Sequence, residues 1–215
     1  MKKLVQLAVV TLLLVTACSK HPQTDKALNY ANNLTSDMDN FDKARQKTAD
    51  ALSKTTEKIK DLANKKDVPV SDLSKEWETE MGGIRKNFAD LQRKFMAVSE
   101  SSKEYFQKLD KYTSAIKDDK AKTKELAINE DLRAKYMETF NTAQAQMEEI
   151  NNILQAGDDV QQMAMISSMR SEIGKNIDEL KHISETASEM LTKLHSFTVE
   201  GKKLISPTSA PSSAS

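Results

Sequence analysis

Three observations predict an all-α fold, an elongated antiparallel helical bundle. Apolar residues recur at alternating steps of four and three, the 3.5-residue period of coiled-coil-like packing. Strong helix formers dominate, and the 215 residues include only five Gly and four Pro. No sustained period-2 alternation and no Asn-Gly or Asp-Gly hairpin signal marks a strand.

The bundle domain is expected over residues 25–205, with helices in the following order. A first helix runs from about Asp25 to Asn64 on the seam Leu34, Met38, Phe41, Arg45, Thr48, Leu52, Thr55, Ile59 and Leu62. Its polar seam positions weaken packing and can fix register, so it is expected to be the least tightly packed helix. Pro69 lacks an amide hydrogen and disfavours helix at Val68, so the chain should turn there. A second helix follows, capped by Ser71 or Asp72. Its seam is Leu73, Trp77, Met81, Ile84, Phe88, Leu91, Phe95, Val98, Ser102, Tyr105, Leu109, Tyr112 and Ile116, with Phe106 beside it. This aromatic-rich stripe marks it as the central, most buried element. Gly82-Gly83 reads as a soft spot or a close helix contact.

The charged run Lys117–Lys124 reads as a solvated turn or frayed helix end, not a binding site. The third helix is expected to be capped near Asn129, on the seam Leu132, Tyr136, Phe140, Ala143, Met147, Ile150 and Leu154. Gly157 and Asp158 suggest a stop and restart. The last helix would run from about Asp159 to Lys203 on two stripes. One holds Ile166, Ile173, Ile177, Leu180, Leu191 and Leu194. The other holds Met169, Ile183, Met190, Phe197 and Leu204. Residues 206–215 are only Ser, Pro, Thr and Ala, the composition of a disordered tail. Short connections favour an up-down-up-down four-helix bundle. A three-helix, spectrin-like rod with an extra arm is the alternative.

The N-terminus follows a different pattern. Met1-Lys2-Lys3 is basic, Leu4 to Val15 carries no charge, and small residues follow. This is the layout of a secretory signal peptide, and the uncharged run is short for a spanning helix. Val15-Thr16-Ala17-Cys18 resembles the lipobox of bacterial lipoproteins. The resemblance implies a signal peptide over residues 1–17 and cleavage between Ala17 and Cys18. It also implies diacylglyceryl transfer to the Cys18 thiol and acylation of the new amino group. Residues 18–24 would be the tether. Ser19 stands where Asp often signals inner-membrane retention in that family, so the outer membrane, facing the periplasm, is the expected address. Cys18 is the chain's one cysteine, so no internal disulfide can form. Several acyl chains on one residue hold where a single chain binds only marginally.

Cleavage would leave 198 residues carrying 30 basic and 32 acidic side chains. That balance gives no electrostatic reason to bind nucleic acid or an anionic membrane surface, and no cofactor motif is present. Phosphate loops, HExxH and paired CxxC are missing from the sequence. Glu179-Leu180-Lys181-His182 resembles half of a ferritin-like di-iron site, but Thr192 stands where a second Glu-x-x-His ending at His195 would need Glu. Met163, Met165 and Met169, with His182, are the remaining metal candidates, since thioether sulfur suits Cu(I). Methionine is more often flexible core filler. The sequence therefore points to a non-enzymatic envelope lipoprotein, anchored in a membrane and acting as a helical scaffold or interaction module for an envelope protein. A metal-handling bundle and a membrane-inserting effector are the alternatives.

Overall fold

The computed structural model describes residues 22–64, 69–168 and 174–206. Four helices account for nearly all of them: α1 (Pro22–Asn64), α2 (Val70–Ser114), α3 (Asp119–Ser168) and α4 (Gly174–Ile205). Their lengths of 43, 45, 50 and 32 residues correspond to about 65, 68, 75 and 48 Å at 1.5 Å per residue. Contacts join α1 to α2, α2 to α3, α3 to α4 and α4 back to α1. Each of these pairs runs antiparallel: Tyr30 lies by Lys108 and Thr55 by Glu80; Asp110 meets Arg133 and Arg85 meets Asp158; Gly157 approaches Ile183 and Tyr136 approaches Gly201; and Asp42 meets His195 while Thr56 meets Ser184. The molecule is thus an up-down-up-down four-helix bundle, and the three-helix rod is excluded. In a ring of four, every helix has two neighbours, so α2 is not the central element. Nor is α1 loosely packed, because Leu34, Met38 and Phe41 are fully buried.

The register is fixed by aromatic rings. Phe41, Phe95, Phe140 and Phe197 contribute one ring from each helix. Phe95 stacks on Phe140 at 4.8 Å, Phe41 lies 5.5 Å from Phe95, and Phe197 meets the other three at 5.8–6.0 Å. Tilted and offset pairs at these separations suit the ring quadrupole and add to the area buried. Next to this layer, Tyr136 is fully buried against Phe106 and Phe197. Gly201 packs beside it and leaves room for Met38: a Cβ there would lie 2.6 Å from the Met38 methyl, while the Tyr136 ring would stay at an ordinary contact distance of 3.8 Å.

The expected seams hold with local departures. On α1, Ala44 rather than Arg45 fills the core position. The long Arg45 side chain sits at the α1–α4 edge, where its charge is paired with Asp42 and hydrogen-bonded to the Leu191 carbonyl. On α2, Phe106 and Thr113 are buried in place of Tyr105 and Tyr112. Steps of four on both sides of Ser102 act as a stutter, which relaxes the heptad locally. On α3 the seam from Tyr136 to Leu154 is as expected and simply continues through buried Gly157 to Val160.

Helix boundaries differ more. Residues 22–24, expected in the tether, already belong to α1, and Pro22 suits a first helical position. Pro69, not Ser71 or Asp72, precedes the first turn of α2, in extended geometry and without a side-chain cap. The turn after α2 spans only residues 115–118, so most of the charged run is helical. Asp118 caps α3, its carboxylate accepting the Ala121 amide at 2.7 Å. Asn129 lies one helical stretch later and donates to the Thr113 hydroxyl at 2.7 Å inside the α2–α3 seam. Gly157 does not stop α3, because its missing side chain is a packing solution: an added Cβ would sit 3.1 Å from the Met81 methyl. Ile166, expected on the buried stripe of the last helix, is exposed on α3. Residues 1–21, where the signal peptide is expected, and 207–215 lie outside the described residues, as does Met169.

Two stability outcomes follow from this packing. Phe140→Ala should lower unfolding stability by about 3–5 kcal/mol in urea titration, the range for removing a buried ring. Gly82 and Gly83 have nothing within 4 Å of an added Cβ, so neither serves a close contact. Gly82→Ala and Gly83→Ala should each stabilise the protein by about 1 kcal/mol, the helix-propensity difference, and a loss in either would mean that the helix must bend there.

Candidate functional site

Away from the phenylalanine layer, toward the end where α1 finishes and α4 begins, the core runs short of volume. Here α1 presents Thr55 and Thr56, α3 presents Gly157 and α4 presents Ser184. The Thr55 hydroxyl is drawn outward to donate to the Glu80 carboxylate at 3.0 Å. Thr56 and Ser184 hydrogen-bond to each other across the α1–α4 seam. The result is a cleft of about 570 Å³, floored by Leu52, Trp77, Met81, Leu154 and Leu180 and rimmed by Glu57, Lys60, Asp178, Lys181 and Glu185. A pocket of this size with an apolar floor and a polar rim suits a small ligand or an inserted side chain.

Charge and polarity around the cleft are arranged for support. Lys58 bridges Glu76 and Glu80, which ties α1 to α2 behind it. Its hydrogen bond holds the Glu80 carboxyl below its ordinary value, outweighing the opposing effect of burial. Trp77 is 5% exposed, and its indole N–H finds no acceptor among the described residues. An unpaired buried donor is a cost the fold retains at the cleft wall. Because Trp77 is the chain's single tryptophan, it also reports on this region alone.

A second cluster joins α1 to α4 nearer the phenylalanine layer. The Asp42 carboxylate accepts from Arg45 Nε at 2.7 Å and lies 2.9 Å from His195 Nδ1, while Arg45 also reaches the Leu191 carbonyl at 3.3 Å. Burial pulls the Asp42 carboxyl up, but the hydrogen bonds from Arg45 and His195 prevail and hold it below its ordinary value. This is a clamp between helices. The Tyr136 phenol is pushed up by burial, an effect the neighbouring Ser102 hydroxyl offsets only in part.

The residues singled out in the sequence are not brought together. Ala17 and Cys18 lie outside the described residues. His182 and Glu179 are both exposed, flanking buried Leu180. The Glu-x-x-His pair therefore faces solvent, and the inward geometry of a di-iron site is not met. Met163 is 44% exposed on α3. Met165 lies on α3 without a described side chain, and Met169 is not described. Among the described residues no three His, Cys, Asp or Glu side chains are grouped to hold a metal ion. Sequence reasoning passed over the cleft, though its signal was present: Thr55 on the α1 seam and Gly157 on the α3 seam are both small for core positions. Compared with protein-family models, with characterised proteins and with solved structures, the chain matches none.

The Asp42 clamp has a testable pH signature. A carboxyl whose folded value is lowered adds stability that is complete above its unfolded value, near 3.8, and is lost as pH falls through the folded one. Asp42→Asn should therefore flatten the acid limb of stability below about pH 4, measured by thermal melts from pH 6 to 2. An unchanged limb would remove the clamp from the account.

Proposed function

We propose that the protein is a membrane-anchored envelope lipoprotein that presents a helical interaction surface to an envelope partner. The carrying observation is Val15-Thr16-Ala17-Cys18 after a basic start and a short uncharged run. Acyl chains on Cys18 would hold the end of the bundle where α1 starts. Helix α1 is about 65 Å long, so the cleft near Trp77 and Ser184 would stand well out from the bilayer. No helix among the described residues is long and apolar enough to cross a membrane, which leaves the lipid as the attachment in this reading. The partner would enter at the cleft, where the Thr56–Ser184 hydrogen bond links α1 to α4 across the opening.

Intact mass measurement of the protein extracted from membranes tests the anchor. The expected product begins at Cys18 and carries two or three acyl chains, and Cys18→Ala should leave the chain unprocessed. A photo-crosslinker at Lys60, on the cleft rim, should capture an envelope protein in living cells, whereas one at exposed Arg93 should not. Equal capture at both sites, or none, would end the assignment of the cleft as the partner site.

A further inference from the structure

Helix α3 reaches past the rest of the bundle at the end where α1 begins. Tyr30 of α1 is level with Lys108 of α2, and Asp110 of α2 is level with Arg133 of α3. Pro22 therefore lies level with about residue 127 of α3, and Asp119 extends about 12 Å further, at 1.5 Å per residue. Helix α4 ends earlier: Gly201 packs against Met38 and Tyr136, and the helix finishes at Ile205. Among residues 119–128, only Lys122 is partly covered. The outermost stretch, Lys117–Lys124, holds four lysines against Asp118 and Asp119, and the Asp118 carboxylate is engaged in capping. Lys117, Lys120 and Lys124 are exposed, while Lys122 bridges back to the Ser114 carbonyl at 3.2 Å.

We infer that this projecting tip of α3, with the turn before it, sits in the headgroup layer of the membrane that holds Cys18. The inference rests on the proposed lipid anchor. Only Ser19, Lys20 and His21 separate Cys18 from Pro22, a reach of about 14 Å at full extension. The tip already spans about 12 Å of that distance. The slack, about 2 Å, is less than a headgroup layer of roughly 5–7 Å. Acyl chains seated in the bilayer therefore bring Lys117, Lys120 and Lys124 to the lipid phosphates. The near-neutral charge of the whole chain conceals this local excess, which exposed Glu125 just beyond it reduces, and lysines close to an anionic surface are attracted over only a Debye length. Two attachment points, the acyl chains beside α1 and the lysine tip on the diagonally opposite helix, would hold the bundle upright.

The lipidated full-length protein carrying Thr123→Cys is placed in vesicles containing phosphatidylglycerol. Cys18 is the native chain's one cysteine and is consumed by lipid, so a fluorophore on residue 123 is unique. A quencher attached to lipid headgroups should dim this label several-fold more than a label at Lys60→Cys on the far rim. Adding K117E, K120E and K124E together should weaken the quenching. Equal quenching at residues 123 and 60, in protein whose mass shows a lipidated Cys18, overturns the inference and leaves the anchor intact. An unmodified Cys18 removes the anchor and the inference with it.

Discussion

One layer of four phenylalanines, a ring from each helix, is the constraint from which the rest of the structure follows. Long heptad seams can slide past one another by whole turns with little change in buried area. Rings of fixed shape at 4.8–6.0 Å cannot. Once Phe41, Phe95, Phe140 and Phe197 meet, the levels of all other residues are set. Tyr136 then falls opposite Gly201, Asn129 opposite Thr113 and Gly157 opposite Met81. The overhang of α3 and the early end of α4 are consequences of the same register.

The periodicity made the fold class and most of the core legible. On α3 the seam residues from Tyr136 to Leu154 are the buried ones. What the sequence concealed depends on neighbours. Whether Arg45 or Ala44 faces inward is decided by where a guanidinium can reach Asp42 and the Leu191 carbonyl. Gly157-Asp158 reads locally as a helix stop, yet Met81 occupies the space that the glycine leaves. Lys117–Lys124 reads by charge as a turn or a frayed helix end, and Asp118 caps a helix that runs through most of it. The exposure of Ile166 could not be read from α3 alone.

The candidate site was legible only in part. Thr55 was visible as a polar seam residue, but its consequence needed the other helices. Volume is missing where small residues from three helices, Thr56, Gly157 and Ser184, coincide. Lipid attachment, by contrast, is a reading of four adjacent residues and owes nothing to packing. The two parts of the functional proposal thus stand on separate grounds, and each can fail alone.

The placement of the rings also divides the bundle mechanically. Among the described residues the close aromatic pairs cluster from the Phe41 layer toward the end where α1 begins, while the cleft half relies on aliphatic side chains, hydroxyls, Phe88 and one tryptophan, with no close ring pair. Local opening draws on the region with the least buried apolar contact. Amide protons near Thr56 and Ser184 would then exchange with solvent through partial separation of α1 and α4, while those around Tyr136 wait for global unfolding. Such a molecule is stiff at the end where α1 begins and compliant at the cleft end, so a load applied there would be met first by hinge-like parting of two helices rather than by collapse of the whole.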